Sequence, residues 1–186
     1  MDLPAWLVAE HDDTTARWRD QVLAAAPPEA QLTRLPNGNS MRWTMYHVAR
    51  HAALALEVVR GTAGEPDPRL AAFPPAATVG GAGLQEVEQP WAADLDPDAV
   101  VAHLAAVLAD VRGWLVTVAP GDLDRRPDVR GALRAAGVSE DRFGWLHAQW
   151  DAPVAFLVRW PMLCHVTHHV GEMITVRNLL GHSPFR

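Results

Sequence analysis

The sequence predicts an all-α protein that folds as a four-helix bundle. Long segments carry apolar residues at helical spacing, and the sequence contains no strand-like alternation. Clusters of proline and glycine separate these segments from one another. A length of 186 residues suits one domain with a sizeable core, so we expect residues 1–186 to form a single domain.

The first helix is predicted from about Leu3 to Ala26. Asp2 can cap its first turn, and Pro4 lies where a missing N–H costs nothing. The proline pair that begins at Pro27 ends the helix.

The second helix is predicted to begin after Ser40, which can act as its N-cap, and to reach about Arg60 before Gly61. Residues 61–95 are rich in proline and glycine and read as a long connection with little regular structure. A connection of this length can return along the bundle, which allows the second and third helices to be parallel. The order would then be up-down-down-up, although an up-down-up-down order is also compatible with the sequence.

The third helix has the clearest start, because Asp96 provides a cap and Pro97 occupies the first turn. It is expected to end before Pro120. Residues 121–150 then form a second long connection with one or two short helices, one of them capped by Ser139.

The fourth helix is predicted to end at Gly181, but its start has two interpretations. It can open at Asp151-Ala152-Pro153, in which case Pro161 lies inside it and kinks it. Alternatively, Pro161 lies in the first turn of the helix and residues 153–159 form a separate turn.

Composition argues against several classes of function. The formal net charge is −6 and no basic run is present, so we expect no nucleic-acid partner. No apolar run approaches the roughly 18 residues of a membrane span. The N-terminus lacks the pattern of a signal peptide, and the single Cys164 excludes an internal disulfide. These features favour a cytoplasmic protein that acts on a small molecule.

The strongest local signal is a group of histidines in the last helix. His165 and His169 are four residues apart and therefore lie on one helix face, and His168 and Glu172 lie close to that face. Two imidazoles one turn apart are natural ligands for zinc, nickel, cobalt or iron. Hydrogen-bonded core histidines or a solvated face would give the same spacing.

A third ligand is available in the second helix. Either His47 or His51 can supply it, because both lie close to the apolar side of that helix and a buried imidazole needs a partner. The remaining histidines are expected to be surface or structural residues: His11, His103, His147 and His182.

The two histidine segments resemble those of the DinB/YfiT-like superfamily. Residues His165–Gly181 are similar to its last helix, with the pattern His-x3-His-x-Gly-Gln/Glu followed by an aliphatic stripe and Leu-Gly. Residues Met41–His51 are similar to its second helix. Val170 and Glu172 stand where arginine and glutamine are common in that superfamily.

The resemblance implies that His47, His165 and His169 are the metal ligands of an up-down-down-up bundle. It also implies a divalent metal, often nickel or zinc, with iron, cobalt or manganese as further candidates, and a frequent homodimer. Some members of the superfamily use a low-molecular-weight thiol such as bacillithiol, mycothiol or glutathione as co-substrate or cofactor. Many members have no known activity.

A three-histidine set leaves at least one coordination position open, which is typical of a catalytic site. Water or a small thiol could be activated there, so a thiol S-transferase or a hydrolase is the leading hypothesis. Glu172 is the candidate catalytic side chain, either as a base or by orienting a ligand histidine, and a salt bridge to Arg177 or Arg42 is the alternative. Cys164 is expected to be a buried structural thiol away from the ligand face.

Three other functions remain open. The chain can be a non-catalytic metal-binding or stress-related protein that keeps the scaffold. It can also be a metal-free bundle with hydrogen-bonded histidines, or a haem protein with axial histidines.

Overall fold

The computed structural model describes residues 2–77, 83 and 85–185, and its secondary structure there is helical, without a strand. The α-helices of these ranges are α1 Leu3–Arg17, α2 Pro28–Leu32, α3 Met41–Arg60, α4 Pro97–Leu115, α5 Val129–Ala135, α6 Glu140–Trp150, α7 Val154–Leu157 and α8 His165–Leu179. Two π-helical segments continue them: Trp18–Leu23 follows α1, and Val158–Cys164 joins α7 to α8. The predicted all-α class is confirmed.

The first helix begins where it was predicted to begin. The Asp2 carboxylate accepts a hydrogen bond from the Ala5 amide at 2.9 Å. The helical path continues through Leu23, somewhat short of the predicted end at Ala26. Pro28 does not simply stop the helix but starts the short α2, since proline is tolerated in a first turn.

Helix α3 has the predicted bounds and lies at the centre of the molecule. The Ser40 hydroxyl caps it by accepting a hydrogen bond from the Trp43 amide at 3.1 Å. Gly61 ends it with a φ of 75°, a left-handed conformation that glycine adopts without strain. Nearly every residue of α3 is buried, so its histidines are enclosed on several sides by neighbouring elements.

The connection over residues 61–95 contains short 3₁₀ turns at Pro68–Ala72, Glu86–Glu88 and Pro90–Asp94. Part of the predicted irregular stretch, residues 78–82 and 84, lies outside the described residues.

Helix α4 opens as predicted, with the Asp96 carboxylate 2.7 Å from the Ala99 amide. A 3₁₀ turn at Pro120–Asp124 follows it, and the short helices expected over 121–150 are α5 and α6. Ser139 occupies the N-cap position of α6, but its side chain makes no capping hydrogen bond.

The last helical run extends over residues 154–179, with Pro153 at its N-cap. The first of the two predicted starts is therefore correct. Pro161 lies within the π segment Val158–Cys164. The wider turn accommodates a residue that has no N–H and whose ring would clash with a preceding carbonyl in a regular α-helix.

Helix α3 packs against α4 and against the run 154–179, while α1 packs against α4 and α8. Near the start of α3, the Arg42 guanidinium donates to the Leu95 carbonyl at 3.0 Å, just before α4 begins. At the end of α3, Arg60 donates to the Asp110 carbonyl at 3.4 Å, near the end of α4. In the described ranges, no helix combines the length and apolar character needed to cross a bilayer.

Candidate metal centre

Three histidines from two helices bring their ring nitrogens together. His47 comes from α3, and His165 and His169 come from successive turns of α8. Their potential ligand atoms all lie within 4.8 Å of one another. His47 and His165 are 3% and 7% exposed, whereas His169 is partly exposed. The structure therefore brings together the three predicted ligands.

The distances fit the ligand shell of a small divalent ion. The Nε2 atom of His165 lies 3.2 Å from Nε2 of His47 and 3.2 Å from Nε2 of His169. A tetrahedral ion with metal–nitrogen bonds of about 2.0–2.1 Å separates two of its ligand atoms by about 3.3 Å. The three-histidine group could therefore hold a metal ion with little rearrangement.

Glu172 sets the tautomer in which His169 can bind a metal. Its carboxylate oxygen lies 2.6 Å from Nδ1 of His169. A carboxylate accepts hydrogen bonds, so Nδ1 carries a proton, and Nε2 is the nitrogen that can offer a lone pair to an ion. The same hydrogen bond lowers the pKa of the Glu172 carboxyl, so this group is ionised at neutral pH.

Hydrogen bonds between the imidazoles do not explain this cluster well. His165 Nε2 has two close nitrogen neighbours, but a neutral ring nitrogen either donates one proton or offers one lone pair. Nδ1 of His165 is buried and has no hydrogen-bond partner among the described residues. Three lone pairs directed at one ion would satisfy all three Nε2 atoms at once.

Burial keeps His165 neutral. Desolvation, followed by the neighbouring imidazoles of His47, His169 and His168, lowers its pKa to about 2. A neutral imidazole is the form that coordinates a metal, so this histidine is ready to bind an ion across the physiological pH range.

Aromatic rings hold the buried histidines in place. The ring of His51 stacks on His165 at a centroid distance of 4.7 Å and an interplanar angle of 24°. Trp150 meets the edge of His51 at 5.7 Å, and Trp160 meets His165 edge-on at 5.9 Å. Trp43 stacks on His47 at 6.3 Å. His47 thus belongs to the nitrogen cluster, whereas His51 contacts the rings of His47 and His165 beside it.

Three of the other four histidines are buried away from the three-histidine cluster. His11 and His103 are each 3% exposed, and His147 is completely buried with its Nε2 2.8 Å from the Val138 carbonyl oxygen. His182 is partly exposed near the end of the chain.

The other residues near the motif have separate environments. Cys164 is only partly buried and lines a groove on a different side of the last helix, together with His168. The two arginines predicted as alternative partners of Glu172 donate their hydrogen bonds to other residues. Arg177 donates to the Gln21 carbonyl and to Asn178, and Arg42 donates to Leu95.

The ring packing around the site was not predicted from the sequence. Trp160 contacts both His165 and His168. Trp160 lies in the π segment, five residues before His165, whereas side chains in contact on a regular α-helix are three or four residues apart. A regular helical pattern therefore could not predict this contact.

Comparisons with family models, with curated proteins and with solved structures give no match to this chain. The case for its function therefore depends on the geometry of the three-histidine cluster and on the motifs in the sequence.

Proposed function

We propose that His47, His165 and His169 bind one divalent transition-metal ion, and that the protein is a metal-dependent enzyme acting on a small molecule. The observation that carries this proposal is the pair of 3.2 Å contacts that converge on Nε2 of His165. Nickel and zinc are the preferred ions, and iron, cobalt and manganese are further candidates because imidazole suits most of these metals.

The proposed scaffold is a four-helix bundle of α1, α3, α4 and the run 154–179 in up-down-down-up order. The contacts of Arg42 with Leu95 and of Arg60 with Asp110 support parallel α3 and α4. The hydrogen bond between Thr14 and Thr167, and that between Arg177 and Gln21, support parallel first and last helices. This order agrees with the DinB/YfiT-like resemblance, and membership of that superfamily is part of the proposal.

The chemistry assigned to the site is transfer of a small thiol to an electrophile, or hydrolysis. A divalent ion in such a site would supply Lewis acidity at an open coordination position. His169 is the most exposed of the three ligands, so a small molecule would approach the cluster from its side. Glu172 orients the His169 ring through the Nδ1–H hydrogen bond. Its lowered pKa makes it a weak base at neutral pH, which favours this orienting role over proton transfer.

A non-catalytic metal-binding protein is the second candidate. The observation in its favour is burial, since His47 and His165 are 3% and 7% exposed and a substrate has little room to approach them. Both candidates require the metal, and they differ in whether a small thiol or water can reach it. A homodimer, which the resemblance implies, belongs to either candidate.

Metal analysis of the purified chain tests the proposal. Elemental mass spectrometry should find about one equivalent of transition metal in the wild type and little in His169→Ala, because two remaining imidazoles hold an ion far more weakly than three. His168→Ala is the matched control, since His168 is adjacent on the same helix but outside the cluster. Absence of metal from the wild type, even after reconstitution with zinc and nickel salts, would contradict the proposal.

An activity assay separates the two candidates. Bacillithiol, mycothiol and glutathione are each mixed with an aryl halide, and the rate is compared among holoprotein, chelated protein and His169→Ala. A metal-dependent rate above that of the thiol alone would support the transferase, and metal-dependent hydrolysis of an ester or amide would support the hydrolase. Stoichiometric metal without either reaction would favour the non-catalytic protein.

A further inference from the structure

A groove between α1 and the last helical run lies apart from the metal centre. Its volume is about 400 Å³, within the range of roughly 300–1,000 Å³ that is typical of small-molecule sites. Most of its wall is apolar, including Leu3, Trp6, Leu7, Leu123, Val158 and Leu163. The three metal-site histidines are not among the described residues that line it.

The groove exposes apolar surface that a folded chain would normally cover. Trp6 is 48% exposed and Leu3 is 39% exposed, and both lie in the first turns of α1. Large side chains at a concave surface lose unfavourable contact with water when a ligand of matching shape covers them. A concave volume of this size suits one small molecule with an apolar body.

Two charged side chains on the wall have no oppositely charged partner among the residues that the structure describes. Arg159 and Glu10 both line the groove and are exposed. Within the described part of the chain, neither forms an ion pair with the other or with any other residue. The planar guanidinium of Arg159 can donate two parallel hydrogen bonds to a carboxylate. His168, also on the wall, adds a second group that can donate to an anion.

We propose that this groove binds a small apolar molecule that carries a single carboxylate, such as an aryl-alkanoic acid. The apolar body lies against Trp6 and the leucines, and the carboxylate pairs with Arg159. Glu10 disfavours the anion by charge repulsion and therefore limits the affinity. The proposal does not rest on the metal, because none of the described residues that line the groove belongs to the histidine cluster.

Isothermal titration calorimetry with 4-phenylbutyrate and its neutral amide tests the proposal on the full chain. Wild-type protein should bind the acid about tenfold more tightly than the amide, as expected for a charge-assisted hydrogen bond. Arg159→Gln should remove this difference by weakening the acid alone. Glu10→Gln should strengthen binding of the acid by about threefold and leave the amide unchanged.

Two further variants complete the test. Ala155→Trp places a large ring on the groove wall and should abolish binding of both probes, with thermal melting as the check that it folds. Arg34→Gln makes the same change of charge at an exposed site outside the groove and should bind both probes like the wild type.

Three results would overturn the proposal. The first is no binding of either probe at about 10 mM, which is weaker than a specific site of this kind should show. The second is equal affinity of the wild type for acid and amide, and the third is an acid preference that survives in Arg159→Gln. All of these affinities are measured on chelated protein, so none of the three results depends on the outcome of the metal analysis.

Discussion

Removal of the Glu172 carboxylate should weaken metal binding without removing a ligand. Glu172 accepts the Nδ1–H of His169 at 2.6 Å and thereby directs Nε2 at the site. Loss of such a carboxylate partner costs about 10–100-fold in metal affinity. The Glu172 side chain is 38% exposed, and water screens its charge, so we expect Glu172→Ala to fall at the lower end, about tenfold or 1.4 kcal/mol.

Glu172→Gln divides this effect into hydrogen bond and charge. The amide oxygen can still accept the Nδ1 proton, but a neutral hydrogen bond has about half the strength of a charge-assisted one. The expected loss is therefore about threefold. Zinc dissociation constants are measured by competition with a chromophoric chelator at constant pH and ionic strength.

Glu29→Ala is the control for this series, because Glu29 is an exposed acidic residue on α2 that does not belong to the histidine cluster. Its zinc affinity should equal that of the wild type. If all four proteins bound zinc equally well, Glu172 would not orient His169. If Glu172→Ala bound more tightly, the carboxylate would instead oppose metal binding, and the proposed role would be wrong.

Two further predictions concern buried histidines. His51→Ala should weaken zinc binding by several-fold because it removes the ring stacked on His165. His51→Phe keeps an aromatic ring there, so its zinc affinity should stay close to that of the wild type. Equal losses of affinity in the two variants would refute a packing role for His51. In the folded protein, burial and then the charges of Arg50 and Arg69 lower the pKa of His103 from 6.5 to about 4. Between pH 6.5 and about pH 4, the unfolded chain therefore binds a proton at His103 more readily than the folded chain does. The contribution of His103 to stability should therefore be constant above about pH 6.5 and fall by about 3 kcal/mol as the pH drops to about 4. Other buried histidines such as His165 add to the total loss, so urea titrations of chelated protein should show a smaller fall in His103→Phe than in the wild type. Identical pH profiles would contradict this assignment.

Local sequence chemistry was sufficient to predict most helix boundaries. Ser40 and Asp96 both cap the helices they were expected to cap, and Gly61 ends α3, because caps and terminal glycines act within one turn of the backbone. The end of the first helix and the path through Pro161 were harder to predict. Both involve π segments, which depend on how the helix packs rather than on a short sequence pattern.

The last helix supplies three of the four residues of the candidate site, namely His165, His169 and Glu172. The four-residue spacing of His165 and His169 places both rings on one face of any regular helix, and Glu172 follows one turn later. Helical periodicity alone therefore predicted which of these side chains would share a face. It did not predict that Glu172 would bond to His169 rather than to an arginine, since several partners were within the reach of its side chain.

Helical spacing alone left His47 and His51 open as the third ligand, and the resemblance favoured His47. The geometry of the cluster itself came only from the tertiary structure, because the two histidines lie four residues apart on one helix and their neighbours depend on how the last helix packs against α3. The resulting register places His47 at the nitrogen cluster and His51 against the face of His165. The groove beside Arg159 could not be predicted from the sequence either, because its walls come from segments that are distant in the chain and meet only when the helices pack.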